Sequence, residues 1–451
     1  MEEINVKNWV KWQQRFFQTG QTLSLELRKQ FLLELKMRLK ENETRFLAAL
    51  EQDLGKSSHE AYMTEIGVIY EEIDFTLKNL QKWVKPKKVP TPMTHIGAKS
   101  SIHSDPYGVV LVISPWNYPY QLTLSPLIGA VAAGNTVIVK PSEWAPATEQ
   151  VLKDVLQAFP TEYLVVACGG PEVTQELVEQ GPDYLFFTGS TQVGKMIMKQ
   201  ASEQLIPLTL ELGGKSPVIV AKDCDLKQAA RRVAFGKWTN AGQTCIAPDY
   251  ALIDRAIYAP FIRELQLAIT DFYGQKPLES SHYGKIISLK HFKRLKSYSS
   301  NLQTDESQLK IAPCILEEPN LNDPVMQEEI FGPILPVFPY TTLEEAISFV
   351  CERPKPLALY LFTKDHRTEQ RILSKTSSGG VCVNDTLMHI ATPYLPFGGV
   401  GASGMGQYHG KASFDTFSHQ KSVLKQTTLF DLKFRYPGVK NGEKWVRRFF
   451  K

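Results

Sequence analysis

The spacing of apolar positions changes along the chain. Over roughly the first 84 residues Leu and Phe recur at helical intervals, most clearly in 23–39, 42–54 and 62–83. This predicts a helical layer covering a sheet. The period is lost over 85–108, where Lys85-Pro86-Lys87-Lys88-Val89-Pro90-Thr91-Pro92 cannot be helix. An extended excursion is expected there, either a loose surface linker or an arm that pairs with another chain. From residue 109 the pattern becomes short, continuous apolar runs at 109–113, 136–139, 163–167 and 184–187, with helical stretches at 126–133 and 147–158 between them. Strand, helix, strand at this spacing predicts a parallel sheet covered on both faces. From about residue 207 a second α/β region is expected, with strands near 209–211, 218–220, 250–253 and 380–384 and helices over 226–238 and 258–272. A glycine-rich loop (396–401), a segment at 418–430 and a basic-aromatic tail close the chain. No internal repeat or low-complexity tract appears.

Composition narrows the class. A chain of 451 residues predicts two or three domains, and 43% hydrophobic with 22% charged residues is ordinary soluble globular usage. With 51 basic and 47 acidic residues the net charge is only +4, which gives no case for nucleic-acid binding. The cysteines, at 168, 224, 245, 314, 351 and 382, form no CxxC pair, and no HxxxH falls on a predicted helix. A metal site is therefore not expected, and sparse cysteines point to a reducing, cytoplasmic setting. The start, Met1-Glu2-Glu3-Ile4-Asn5, is acidic and lacks the apolar run of a signal peptide. No stretch of 18 apolar residues predicts a membrane span.

Parallel sheets bind ligands beyond the C-terminal ends of their strands. Here those ends are Ser114-Pro115-Trp116-Asn117, Lys140-Pro141-Ser142-Glu143 and Thr188-Gly189-Ser190-Thr191. The amide of Asn117 could donate to an oxyanion or merely cap a turn. Glu143, beside Lys140, could accept from ribose hydroxyls or belong to a solvated helix entry. The stretch Phe187 to Lys195 suits a phosphate at a helix start. It is neither GxGxxG nor a Walker A loop, and a plain capped helix remains open. Glu211 is an acid inside an apolar strand, followed by Gly213 and Gly214. Burying it is costly unless it is paired or has a task. Cys245, in Gly242-Gln243-Thr244-Cys245, follows a helix expected to break at Gly242. It is the candidate nucleophile, and the site must then favour its thiolate. The plainer alternative is a small buried hydrophobe. Alone, Glu328-Glu329-Ile330-Phe331-Gly332-Pro333 reads as a loop.

Taken together, Asn117 in SPWNYP, Glu211 in LELGGK, Cys245 in GQTC and Glu329 in EEIFGP, with FTGSTQVGK and PFGGVGASG, stand in an order that resembles the aldehyde dehydrogenase superfamily. The resemblance covers nearly the whole chain, and residues 75–91 look like the class 3, fatty or aromatic aldehyde branch. It implies an α/β fold with a Rossmann-type parallel-sheet cofactor domain (1–84 and 104–207), an α/β catalytic domain (208–410) and a small β oligomerisation element (85–103 and 411–430), followed by a tail at 431–451. It implies that Cys245 attacks an aldehyde and that Asn117 and the Cys245 N–H hold the oxyanion. A hydride leaves for NAD, with NADP possible, and Glu211 activates the water that releases the acid. Lys140 and Glu143 would hold the adenosine ribose, Gly189 and Ser190 would lie near the pyrophosphate, Glu329 would bind the nicotinamide ribose with Phe331 packed beside it, and Trp116 and Gly194 would also contact the cofactor. It also implies a homodimer, so the excursion becomes an arm. Membrane-bound relatives in this branch carry an apolar C-terminal span, whereas residues 444–451 are too short for one. Two other classes remain open on the residues alone. A cysteine hydrolase would want a histidine base, and none stands in the motifs around Cys245. A non-catalytic scaffold would have no use for Cys245, Asn117 and Glu211 together.

Overall fold

The computed structural model describes residues 8–449. The acidic opening Met1 to Asn5, and Phe450 and Lys451 of the basic-aromatic tail, lie outside the described residues. The helical layer is Trp9–Gln18, Leu25–Glu41, Glu43–Leu54 and Gly67–Trp83. Ser24 starts the second helix by accepting from the Leu27 N–H, and Gly55, at φ +68°, ends the third. The last three of these helices each bury an apolar stripe, and the first buries Val10 and Gln13. Phe31, for example, packs 4.3 Å from the ring of Phe159 and 4.9 Å from that of Tyr163.

Below this layer lies a six-stranded sheet. Its order is Gly404–Met405, Leu208–Leu212, Tyr184–Gly189, Val109–Ile113, Thr136–Lys140 and Leu164–Val166, all parallel except the first. Strand order reverses between Val109–Ile113 and Tyr184–Gly189, and a crevice opens at such a point at the strands' C-terminal ends. The second six-stranded sheet is wholly parallel: Cys314–Glu317, Ile334–Tyr340, Tyr250–Asp254, Pro217–Val220, Ala358–Phe362 and Gly380–Val383.

Two expectations are corrected. The strand carrying Glu211 pairs with Tyr184–Gly189 in the first sheet, so sheet membership changes after Leu212 and not at residue 207. A short apolar run looks the same whichever parallel sheet receives it. The helix expected at 126–133 spans Gln121–Ala133, with Pro126 inside it. All of its residues are buried, so no polar face marks where it begins.

The proline-rich excursion is not a loose linker. Lys87–Val89 and Lys99–Pro106 form an antiparallel sheet with Ser418–Lys425, which lies at its edge. The tail carries a short helix, Gly442–Phe449. Among the described residues no helix is long and apolar enough to cross a membrane.

Candidate active site

The helix leading to the candidate thiol, Leu226–Trp238, starts at Asp225, whose side chain accepts from the Gln228 N–H. It ends at Trp238, as the sequence predicts, four residues before Gly242. Asn240, Ala241 and Gly242 then take left-handed backbone, with φ of +53°, +51° and +75°. A Cβ on Gly242 would run into the carbonyl of Gly332, so only glycine fits there. The turn is held from several sides. Glu60 accepts the Asn240 N–H at 2.8 Å. The Gln243 amide donates to the carbonyls of Asn240 (3.0 Å) and Lys285 (2.9 Å) and accepts from the Ile287 N–H (3.0 Å).

Cys245 leaves this turn half-buried, and it is a free thiol. Burial pushes its thiol up to about 12, and the carboxylates of Glu329 and Glu211 add to the shift. The backbone N–H groups of Cys245 and Ile246 act the other way, because they hydrogen-bond to the sulfur. A sulfur flanked by N–H donors is also where an oxyanion on an attached carbon would find them.

Asn117 lies just past the strand Val109–Ile113 and is buried. Its Nδ2 donates to the carbonyl of Gln243 at 3.0 Å, which joins the C-terminal end of the first sheet to the thiol loop. An amide nitrogen carries two donors, so one remains for a ligand. Next to it, the Tyr118 hydroxyl meets Thr244 Oγ1 at 2.7 Å.

Glu211 is buried in Leu208–Leu212, and neither carboxylate oxygen has a hydrogen-bond partner among the described residues. Burial alone raises its pKa well above the ordinary carboxylate value. It lies close enough to Cys245 and Tyr408 for its charge to act on both. A buried, unpaired carboxylate of this kind is a candidate base.

The remaining predicted residues fall into two groups along the crevice. At one end, Lys140 Nζ pairs with Glu143 Oε2 at 2.7 Å, Gly189 ends its strand, and Ser190 caps the helix Thr191–Ser202 by accepting from Val193 N–H. Gly194 faces Leu212 so closely that a Cβ would strike its side chain. At the other end, Trp116 and Phe331 meet edge to face at 5.3 Å, and Phe331 holds φ +49°. Glu329 presses against Gly213, where a Cβ would collide with the carboxylate. Burial, then Asp249, push Glu329 up to about 8, against the pull of the Gly214 N–H and the Lys215 and Arg294 charges. The residues fit a dinucleotide. A helix start with free donors, a paired carboxylate at the next strand end and a buried Thr188 hydroxyl without a partner all lie at C-terminal strand ends around the crevice.

Several contributors were not singled out from the sequence. The His291 ring, on Leu289–Lys296, lies tilted 5.3 Å from that of Trp116, and burial lowers its pKa to about 4, so it is neutral at physiological pH. Lys56, Glu60 and Glu65 approach from the helical layer. One sequence signal could have found the last. Glu65 and Glu72 share a helical stripe with Ile69, Ile73 and Leu80, all buried.

The chain matches the profile of the aldehyde dehydrogenase family over residues 2–423. It is 48% identical over 445 residues to 4,4'-diaponeurosporen-aldehyde dehydrogenase of Staphylococcus aureus, covering 97% of each chain. It is 45% identical over 443 residues to a rat (Rattus norvegicus) aldehyde dehydrogenase described as dimeric and NADP-preferring, covering 96% of this chain and 98% of that one. The solved substrate-bound state of Staphylococcus aureus AldH superposes with a TM-score of 0.97 at 46% identity, covering 100% of both chains. The thiol, the amide donor and the unpaired carboxylate therefore stand in a fold shared end to end with aldehyde oxidisers, and this chain belongs to the class 3-like branch of the aldehyde dehydrogenase family, whose reaction oxidises an aldehyde to the carboxylic acid with NAD(P).

Proposed function

We propose that Cys245, Asn117 and Glu211 carry that oxidation. The observation that weighs most is the meeting at one point of a thiol flanked by N–H donors, a buried amide with a spare N–H and a buried carboxylate with no partner. Cys245 Sγ releases its proton to solvent water and bonds to the aldehyde carbon, and the carbonyl oxygen becomes an oxyanion. The spare N–H of Asn117 and the backbone N–H of Cys245 stabilise that charge. NAD(P), when bound, supplies the hydride acceptor. Loss of the hydride leaves a thioester on Cys245. Glu211 takes a proton from a water, whose oxygen attacks the thioester carbon; the C–S bond breaks and the acid leaves.

For the cofactor we assign Lys140 and Glu143 to the adenosine ribose, Gly189, Ser190 and Gly194 to the pyrophosphate, and Glu329, Phe331 and Trp116 to the nicotinamide half. The C-terminal strand ends on which these residues sit support the assignment. NAD is the preferred cofactor and NADP a poorer one, because a 2′-phosphate would meet the carboxylate of Glu143. In domain terms, with the boundary taken after Leu212 where sheet membership changes, residues 1–84 and 104–212 build the cofactor side and 213–410 the side that carries the thiol, while 85–103 and 411–430 serve oligomerisation and 431–451 form the tail. The dimeric description of the rat relative and the edge strand Ser418–Lys425 support a homodimer. Six free cysteines support work in a reducing cytoplasm. The substrate is an apolar aldehyde. The segment 388–395 exposes Met388, Tyr394 and Leu395, and its His389 ring lies 5.9 Å from Tyr360, which bonds the carbonyl of Ile246 beside Cys245.

The Cys245→Ala variant tests the central assignment. It should lose NADH formation with aliphatic and aromatic aldehydes, read at 340 nm, and still bind NAD by titration. Surviving turnover would refute the covalent route.

The raised thiol gives a pH test without cofactor. With the thiol near 12, only about one molecule in ten thousand carries the thiolate at pH 8. Alkylation of Cys245 by iodoacetamide should therefore quicken about tenfold per pH unit from 7 to 10. A plateau near pH 7 would contradict a thiol desolvated in the free enzyme.

Cofactor choice is read from kcat/KM with each nucleotide. Wild type should favour NAD, and Glu143→Gln should lower KM for NADP. An NADP preference left unchanged by Glu143→Gln would remove Glu143 from the ribose site.

A further inference from the structure

Beneath the thiol loop lies a buried ion pair that the proposed chemistry does not use. Lys56 and Glu65 are both fully buried, and Lys56 Nζ meets Glu65 Oε1 at 2.5 Å. Such pairs are costly to desolvate, and apolar residues in their place are often neutral or stabilising. Holding the fold together is therefore a weak explanation, and the partners of this pair suggest another.

The ammonium of Lys56 also donates to the backbone carbonyl of Asn117 at 3.0 Å. It stands 3.9 Å from the ring centroid of Tyr118, whose hydroxyl holds Thr244, the neighbour of Cys245. The second oxygen of Glu65 accepts from the N–H groups of Tyr120 (2.9 Å) and Gln121 (3.2 Å). One ion pair thus grips the segment Asn117 to Gln121 at both ends. The Asn117 carbonyl takes a second bond, from Asn240 Nδ2 at 2.8 Å. The same Nδ2 reaches the Gln243 carbonyl at 3.1 Å, which also accepts from Asn117 Nδ2. With its carbonyl fixed by Lys56 and Asn240 and one amide N–H fixed by Gln243, Asn117 has its second N–H set in direction.

We infer that Lys56 and Glu65 are positioning residues for the oxyanion: their buried ion pair anchors the Asn117 backbone so that its spare amide N–H meets the oxygen of the aldehyde adduct. The inference rests on Asn117 being an oxyanion donor. Neither residue touches substrate. Their effect comes through geometry, where a displacement of about 1 Å can cost a hundredfold in rate.

A double-mutant cycle tests it. Stopped-flow NADH formation in the first turnover, with hexanal and NAD, is compared in wild type, Lys56→Met, Glu65→Gln, Asn117→Ala and each first variant combined with Asn117→Ala. NAD affinity and melting temperature are measured alongside. Asn117→Ala should slow the first turnover by about a hundredfold to a thousandfold. Lys56→Met should slow it by about tenfold to a hundredfold with NAD affinity unchanged. The doubles should be no slower than Asn117→Ala alone, because nothing is left to position. Losses that multiply in the doubles would overturn the inference and leave the pair as general support of the fold. A near-normal rate in Asn117→Ala would overturn the oxyanion reading itself, so the two failures are distinct. Should Lys56→Met not fold, Glu65→Gln carries the cycle. It keeps an acceptor for Tyr120 and Gln121 while losing the charge opposite Lys56, and the same additive or non-additive outcome decides.

Discussion

Three consecutive left-handed residues, Asn240, Ala241 and Gly242, turn the chain out of a helix and towards the thiol of Cys245. Left-handed backbone at the two residues that carry a Cβ costs about 1–2 kcal/mol each. It persists because its surroundings over-determine it: Glu60 from the helical layer, the carbonyl of Asn117 from the first sheet, and Lys285 and Ile287 from the segment after it all bond to the turn or to the Gln243 that closes it. Strain held in this way fixes a reacting atom more tightly than a flexible loop would. The two sheets and the helical layer therefore meet at one turn, and the candidate site is their junction.

Charge is arranged around the same point. Glu211 and Glu329 both raise the thiol of Cys245, and burial raises both carboxylates in turn. In the proposed reading this crowding has a use. A carboxylate lifted out of the ordinary acid range is a stronger base for water, and still able to return the proton. The cost is a thiol that stays protonated in the free enzyme, offset only in part by the N–H groups of Cys245 and Ile246.

Much of this was legible in the sequence. The parallel strands showed because burial on both faces leaves unbroken apolar runs, as in Val109–Ile113 and Tyr184–Gly189. Cys245, Asn117 and Glu211 showed because they interrupt or follow predicted elements with polar chemistry and glycines, whereas Glu329 reads as part of a loop by itself and stood out only through the family resemblance. Other features could not show. The start of Gln121–Ala133 was hidden because that helix is buried all round. The sheet that receives Leu208–Leu212 is set by tertiary pairing with Tyr184–Gly189, which periodicity does not encode. Lys56 and Glu60 fall between the expected helices at 42–54 and 62–83, and Glu65 lies inside the second, so no motif singled them out. Besides the Lys56–Glu65 pair itself, their partners are backbone groups far along the chain, 61 residues away for Lys56 and Asn117 and 180 for Glu60 and Asn240. Only the register of Glu65 with buried isoleucines hinted that it points inward.

The order of events at Cys245 is the centre of the account: hydride loss first, water second, with Glu211 serving only the second. Stopped-flow NADH absorbance on Glu211→Gln, with acid-trapped mass spectrometry of the Cys245 peptide, reads that order directly. The substitution keeps shape and removes the base, so a fast burst of one NADH per site with an acyl adduct on Cys245 is expected. Steady turnover should then fall by about a hundredfold to ten-thousandfold. A slowed burst, slower still at low pH, would instead make Glu211 the base for the thiol, and near-normal steady turnover would contradict the account outright.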